Sequence, residues 1–267
     1  MAKVDDIRNV ALCGHGSSGK TTLVDRMLVK TGAVSANPRV DDGSSICDFA
    51  PEEKHHKYTV EASVVHFKHN GKAFNFIDTP GYPDFIGQTI GSLRAVDTAC
   101  IAVNAHAGIE VNTRRVFNEA GKAGIGRMIV ITKMDGDNID FPALIESIRT
   151  MWGNKCVLLN VPIGCGSDFK GVVSTLNVPA DTSGALIDPN EINGPLVEQI
   201  IEADEEAMMV YLEEGKLPSA EELSKLIVRA VADGSLVPIV CLSGKADIGI
   251  AEFLDALAFC GLPPSAV

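Results

Sequence analysis

A glycine-rich stretch close to the N-terminus constrains the fold of this chain more than any other feature. Residues 14–22 read Gly-His-Gly-Ser-Ser-Gly-Lys-Thr-Thr and fit the pattern G-x-x-x-x-G-K-[ST], in which backbone N–H groups wrap a polyphosphate. An apolar run over 9–13 predicts a buried strand before this stretch, and apolar residues at helical spacing follow it as far as Gly32. This strand, loop and helix order disfavours the alternative, a glycine-rich turn that matches by chance.

Every residue of this loop is a candidate nucleotide ligand. We expect Lys20 to reach the outer phosphates and the Thr21 hydroxyl to bind Mg²⁺, while the start of the following helix faces the negative charge. The predicted ligands in this stretch are Gly14, His15, Gly16, Ser17, Ser18, Gly19, Lys20, Thr21 and Thr22.

Composition and charge limit the cellular compartment and the classes of partner that we expect for this chain. The chain has 267 residues with a formal net charge of -12, which argues against broad neutralisation of nucleic-acid phosphates but not against a local basic patch. Its 7 scattered cysteines lack a C-x-x-C pair and predict buried thiols in a reducing compartment. Because the sequence has no run of membrane-spanning length and no signal-peptide core, we expect a cytoplasmic protein that binds neither membrane nor DNA.

Strand and helix patterns alternate after a polar stretch over 35–57, which is long for a loop. Val60, Ala62 and Val64 alternate before a hairpin turn over 69–72. The further predicted strands cover 73–77, 98–104, 127–132 and 236–242, and the predicted helices cover 85–94, 111–123, 141–152 and 247–259. The alternation predicts an α/β fold of the P-loop NTPase type, with a doubly wound, mostly parallel sheet.

The rhythm of the sequence changes at about Cys156. Short apolar runs precede a loop rich in Pro, Asp and Asn over 179–194 and an acidic amphipathic helix over 196–214. Ser219 and Glu222 stand at capping-box spacing before one more helix. We predict an inserted α+β subdomain over 156–235, within a nucleotide-binding domain built from 1–155 and 236–267.

Polar motifs follow three of the predicted strands, at the ends where open α/β sheets bind ligands. Asp78 opens Asp-Thr-Pro-Gly; its carboxylate could hold Mg²⁺ through water while the Gly81 N–H approaches a γ-phosphate. Ordinary turn chemistry is the alternative for this motif. Asp135 could accept hydrogen bonds from guanine N1–H and the 2-amino group, donors that adenine lacks.

Two flanking segments complete the predicted base site. Thr132 and Lys133 lead into Asp135, and the aliphatic stem of Lys133 could cover the purine face. Ser243, Gly244 and Lys245 follow the last strand and could place a backbone N–H at guanine O6. A solvated loop is the alternative there.

With these motifs the chain resembles the translational GTPases, and most closely the G domain of elongation factor G. The resemblance rests on the phosphate loop, on 78–81 followed by Asp84-Phe85, and on 132–135. It rests also on 161–173, which looks like the start of the extra subdomain of elongation factor G that elongation factor Tu lacks. We therefore expect further domains beyond residue 267 of a longer protein.

The resemblance implies a Mg²⁺-dependent GTPase that binds GTP and GDP and turns over slowly until the ribosome activates it. The implied partners are ribosomal RNA and the ribosomal stalk protein, the implied state is a monomer, and the implied task is translocation. Lys20, Gly81 and Tyr82 become the predicted catalytic residues. Thr59 becomes the switch threonine that binds Mg²⁺ with Thr21 and Asp78, unless it is only a strand-entry threonine.

The resemblance also makes 41–58 the loop that orders around the γ-phosphate. His55 and His56 in this loop suggest a metal pair, although adjacent histidines in a polar loop are more often solvated.

Four departures from the family pattern predict a divergent paralogue. Tyr82 stands where histidine is usual, Ser17 where aspartate is frequent, and 55–57 where an Arg-Gly switch segment is usual. Thr132 replaces an asparagine that braces the phosphate loop, which predicts weaker nucleotide binding. These departures leave open a GTP-binding switch with little hydrolysis, or a role in ribosome recycling, protection or release. A plain ATPase fits the phosphate loop but not Asp135.

Overall fold

A computed structural model describes residues 3–215 and 217–266. The strands in chain order are β1 (Ile7–Gly14), β2 (Ser63–His69), β3 (Lys72–Asp78), β4 (Thr98–Asn104), β5 (Gly126–Thr132), β6 (Cys156–Leu158), β7 (Asn160–Ile163), β8 (Gly171–Ser174) and β9 (Val237–Cys241). The helices are α1 (Lys20–Lys30), α2 (Pro51–His56), α3 (Ile86–Leu93), α4 (Val111–Ala123), α5 (Phe141–Trp152), α6 (Pro189–Ile201), α7 (Glu205–Glu214), α8 (Ala220–Asp233) and α9 (Ile250–Cys260).

Seven strands form one mostly parallel sheet in the order β2-β3-β1-β4-β5-β9-β6, and only β2 runs antiparallel to its neighbour. Helices flank the sheet, with α1 packed on α9 and α3 on α4. This confirms the predicted doubly wound α/β fold. Because β1 pairs with β3 on one side and β4 on the other, the strand order reverses at β1. Such a switch point is where these sheets bind ligands.

The buried face of β2 differs from the predicted one. The strand begins at Ser63, so Val60 and Ala62 lie outside it, and Val64 is 56% exposed. Val65 and Phe67 point inward instead, opposite Phe76 and Phe74 of β3. Since strand side chains alternate between faces, a shift of one residue reverses the whole buried set.

The segment 156–235 also differs from the prediction. Its first element, β6, is an edge strand of the main sheet, because Cys156–Leu158 pairs in parallel with β9. The helix predicted over 196–214 is two helices, α6 and α7, which end and begin on either side of 202–204. Part of the loop predicted over 179–194 belongs to α6, where Asp188 caps the helix and Pro189 occupies its first turn. The β7–β8 hairpin is separate from the main sheet.

The polar stretch 35–57 contains one short helix that the sequence pattern did not predict, α2. All seven cysteines lie within the described residues as free thiols, and six of them are buried, in accord with the prediction. Within residues 3–215 and 217–266, none of the helices is both long enough and apolar enough to span a membrane.

Candidate functional site

The phosphate loop connects β1 to α1 in a backbone conformation that its glycines permit. Gly14 and Gly19 have φ angles of 147° and 85°, and a Cβ on Gly14 would lie 2.6 Å from the Ala102 carbonyl oxygen. The buried Lys20 Nζ donates to the carbonyl oxygens of His15 at 2.8 Å and Gly14 at 3.3 Å. Burial lowers the pKa of Lys20, and the nearby Asp78 opposes that shift. The loop thus holds one desolvated cation where the outer phosphates of a nucleotide would bind.

Four side-chain oxygens meet at the start of α1. Thr21 Oγ1 donates to Asp78 Oδ2 at 2.7 Å and lies 2.9 Å from Thr59 Oγ1, and Thr59 Oγ1 lies 2.8 Å from Asp48 Oδ1. The fold therefore brings together the three predicted metal ligands, Thr21, Thr59 and Asp78. Asp48 joins them, although only its place in a polar stretch marks it in the sequence.

The chemistry of this oxygen cluster suits a divalent cation. Two hydroxyl protons serve three contacts, and within the described residues Asp78 Oδ1 and Asp48 Oδ2 have no hydrogen-bond partner. Burial raises the pKa of Asp78 to about 7, against the opposing effects of the Thr21 hydrogen bond and the Lys20 charge, and burial likewise raises the pKa of Asp48. Buried oxygens with excess negative charge are the ligand type that Mg²⁺ takes, together with water and phosphate.

The predicted base site forms where β5 and β9 end. Ser243 Oγ donates to Asp135 Oδ1 at 2.5 Å, and Met134 N–H donates to the Leu242 carbonyl at 3.3 Å. The side chain of Lys133 passes 3.6 Å from the position that a Gly19 Cβ would occupy, so its stem runs along the phosphate loop. Lys133 and Asp135 line a cavity of about 640 Å³ with Gly244, Lys245 and the loop residues 39–41. The size is that of a small-molecule site.

Thr132 braces the phosphate loop from β5. Its hydroxyl donates to the Ser18 carbonyl at 2.6 Å, and the Val103 carbonyl lies at 3.2 Å. The side chain is buried. The amide expected at this position is absent, but a contact between the strand and the loop is present.

Comparison with known proteins assigns this chain to a family. A family model described as the elongation factor Tu GTP binding domain matches residues 5–261. This chain belongs to that family of translational GTPases. A protein of Thermus thermophilus, known from its crystal structure, is 33% identical and superposes with a TM-score of 0.90. The match covers 98% of this chain and 41% of that protein, so this chain spans less than half of the length of that protein.

In this translational GTPase domain, Gly81 and Tyr82 lie directly on the phosphate loop. A Cβ on Gly81 would collide with Lys20 Nζ and the Gly16 nitrogen, and one on Gly16 would lie 3.3 Å from the Tyr82 ring. Tyr82 also packs edge-on against Tyr58, with ring centroids 4.9 Å apart, and is 37% exposed. Tyr82, Thr59 and the phosphate loop line one cavity of about 220 Å³. The phenol therefore borders the space where the γ-phosphate end of a nucleotide would lie.

Asn112 is a site residue of the GTPase domain that the sequence pattern did not predict. It is buried at the start of α4, and its Nδ2 donates to the Gly81 carbonyl at 2.7 Å. The bond fixes the peptide that joins Gly81 to Tyr82. A lone asparagine in the first turn of a helix carries no sequence signal for this contact.

Three of the six histidines lie in two loops singled out in the sequence, the phosphate loop and 41–58. His15 of the phosphate loop lies 3.4 Å from Glu110 Oε1 through its Nε2. His55 and His56 are exposed, with their rings edge-on at 4.7 Å. Among the described residues, no group of three or more His, Cys, Asp and Glu could hold a metal ion, so this pair has no third ligand of that kind.

Proposed function

We propose that this chain is the GTP-binding domain of an elongation factor G-like translation factor that hydrolyses GTP to GDP and phosphate on the ribosome and drives translocation. One observation carries the proposal: Thr59, at the end of the loop 41–58, contacts Thr21 of the phosphate loop, which itself contacts Asp78. A loop residue that reaches the phosphate site can respond to the presence of a γ-phosphate. Family membership supports the translational task.

The chain's own residues supply binding, orientation and charge. Lys20 and the backbone N–H groups of 14–22 would hold the β- and γ-phosphates and stabilise the charge that develops during phosphoryl transfer. Gly81 would donate its N–H to the γ-phosphate, and Tyr82 would border the attacking water. Thr21 and Thr59 would bind Mg²⁺ directly and Asp78 through water. The bound ion supplies neutralisation of the phosphate oxygens.

Unassisted turnover is expected to be slow. Among the described residues that line the phosphate end of the cleft, the cations are Lys20, Lys57 and Lys133, without an arginine. GTPases of this kind depend on an activator to complete transition-state stabilisation. We take the ribosome as that activator, contacted through ribosomal RNA and the stalk protein by a monomer in the cytoplasm.

The base assignment has a direct test. Asp135, already oriented by the Ser243 hydroxyl, should favour guanine because adenine offers the carboxylate no donor from the base. We expect GDP to bind far more tightly than ADP or ATP in titration calorimetry. A Kd for ATP within about tenfold of the Kd for GDP, a difference of only ~1.4 kcal/mol, would contradict the assignment of Asp135 to guanine recognition.

The enzymatic proposal is tested by GTP turnover at fixed Mg²⁺ with and without ribosomes. Strong stimulation supports a working translational GTPase. Tight, guanine-selective binding without stimulation would instead support a switch that hardly hydrolyses GTP. A recycling, protection or release task is separated from translocation by assaying each ribosomal step with the complete protein.

The position of Tyr82 favours this second candidate, the switch. Its phenol can hydrogen-bond water but carries no positive charge, and its ring is held between Gly16 and Tyr58. Tyr82→Phe keeps the ring packing and removes the hydroxyl. Unchanged ribosome-stimulated turnover in Tyr82→Phe would exclude a water-positioning role for the hydroxyl.

A further inference from the structure

Glu53 is a fully buried carboxylate in an otherwise exposed part of the polar loop. It lies on α2 with 0% exposure, whereas Glu52, Lys54 and His55 beside it are exposed. A buried carboxylate is tolerated only when hydrogen bonds replace its water. The contacts of Glu53 therefore define what this short helix does.

Three backbone N–H groups donate to the Glu53 carboxylate. Oε2 accepts from Ala50 at 3.0 Å, and Oε1 accepts from Val60 at 2.9 Å and Glu61 at 3.1 Å. Hydrogen bonds to an ionised acceptor are about twice as strong as neutral ones. Glu53 thus ties the start of α2 to the two residues that directly follow Thr59.

Two other carboxylates bind parts of the same segment, which runs from Ile46 to Glu61. Asp25 of α1 accepts from the Ile46 N–H at 3.1 Å, and Asp48 contacts the Thr59 hydroxyl at 2.8 Å. Asp25 fixes the near end of the segment on α1, and Asp48 meets the threonine itself. Like Asp48, Glu53 closes the segment on itself, but it does so through backbone N–H groups and not through the Thr59 hydroxyl.

We propose that Glu53 is a positioning residue that latches this loop closed and so sets the preference of the domain for triphosphate over diphosphate. This inference rests on the proposed function. Thr59 can contact a γ-phosphate-bound cation only in the closed loop. When the latch is lost the closed form is a smaller fraction of the population, and the apparent affinity for the triphosphate falls by that fraction. GDP lacks the γ-phosphate, so its affinity should not depend on the Thr59 contact.

The test compares Glu53→Ala with Glu52→Ala, its exposed neighbour on the same helix. We expect Glu53→Ala to weaken binding of a non-hydrolysable GTP analogue with Mg²⁺ by roughly tenfold or more and to change GDP binding less than about twofold. Glu52→Ala should match the wild type for both nucleotides. Glu53→Gln keeps one acceptor oxygen for Val60 and Glu61, so it should fall between Glu53→Ala and wild type.

Amide hydrogen exchange measures, in the absence of nucleotide, whether the Glu53 hydrogen bonds hold the loop. Glu53→Ala should speed exchange at the amides of Ala50, Val60 and Glu61 and leave α4 and α5 unchanged. Equal losses for both nucleotides, or a lowered melting temperature without altered selectivity, would show a merely structural residue and overturn the proposal. Unchanged exchange at the three amides would overturn it as well.

The same measurements separate the two levels of inference. A wild-type protein that binds no guanine nucleotide overturns the proposed function and, with it, the role of Glu53 in nucleotide preference. A wild-type protein that prefers the triphosphate, with Glu53→Ala retaining that preference, overturns the assignment of Glu53 alone.

Discussion

The Thr132 hydroxyl joins the strand that carries the base-site residues to the loop that holds phosphate. It donates to the Ser18 carbonyl at 2.6 Å from a buried position. A buried carbonyl that loses its donor costs the full desolvation of the group. One hydroxyl at this position therefore contributes to the shape of the phosphate loop.

Thr132→Val removes this hydroxyl and keeps the side-chain shape. We expect the change to weaken GDP binding by about 1–2 kcal/mol, roughly 5- to 30-fold in Kd, because the Ser18 peptide loses its anchor. Titration calorimetry with GDP and Mg²⁺ measures the effect.

Thr175→Val is the matched control for Thr132→Val. The buried Thr175 hydroxyl also donates to a carbonyl at 2.6 Å, that of Leu158, but Thr175 follows β8 outside the nucleotide cleft. Thr175→Val should lower the free energy of unfolding and leave the Kd for GDP unchanged. A Kd that rises equally in both variants, or in neither, would contradict a bracing role for Thr132.

Among the secondary-structure elements, α7 depends on a single aspartate at its start. Asp204 caps the helix by accepting from the Ala207 N–H at 3.0 Å, and its carboxylate also pairs with Arg229 of α8. Asp204 thus marks the start of α7 after the break that follows α6, and it links α7 to α8. The two contributions are separable because asparagine is as good a cap as aspartate.

Asp204→Ala should lower the free energy of unfolding by about 1–2 kcal/mol, since it loses both the cap and the ion pair. Asp204→Asn keeps the cap and should lose less than about 1 kcal/mol, because Arg229 is largely exposed and exposed pairs contribute little. Urea unfolding midpoints of the two variants give the comparison. Equal losses in both would assign the whole effect to the ion pair.

Elements with a strong local pattern are predictable to the residue. The strand over 98–104 and the helices over 111–123 and 141–152 match β4, α4 and α5 at both ends. The phase of β2 is not predictable in this way, because it is set by the pairing of Val65 with Phe76 across a hairpin. The break between α6 and α7 escapes prediction because the apolar stripe continues through it, although Asp204 has the chemistry of a cap.

The site residues likewise divide into those that a local sequence pattern predicts and those that it does not. The predicted ligands in 14–22, 78–81, 132–135 and 243–245 follow recognisable patterns and come together because they follow strands at one edge of the sheet. Asp48, Asn112 and Glu53 were not predicted. Their contacts depend on how a loop or a helix start folds back on the site, which no short-range spacing encodes.

On the scale of the whole molecule, the cleft is assembled from segments far apart in the chain. The base cavity draws residues from the phosphate loop, from 39–41, from 132–137 and from 242–245. A ligand that contacts all of them joins the N-terminal and C-terminal parts of the sheet in one binding event. Nucleotide binding should therefore raise the free energy of unfolding of the whole domain.

Thermal unfolding with and without nucleotide tests this coupling. GDP with Mg²⁺ at about 100 times its Kd should add ~2.7 kcal/mol to the free energy of unfolding, because it binds only the folded state. For a chain of this size that corresponds to a rise in Tm of roughly 5–10 °C. Excess EDTA should remove part of the rise, since Thr21 and Asp78 then lack the ion that joins them to phosphate. An equal rise with ATP would contradict guanine selectivity, and no rise at saturating GDP would contradict a single cleft built from all four segments.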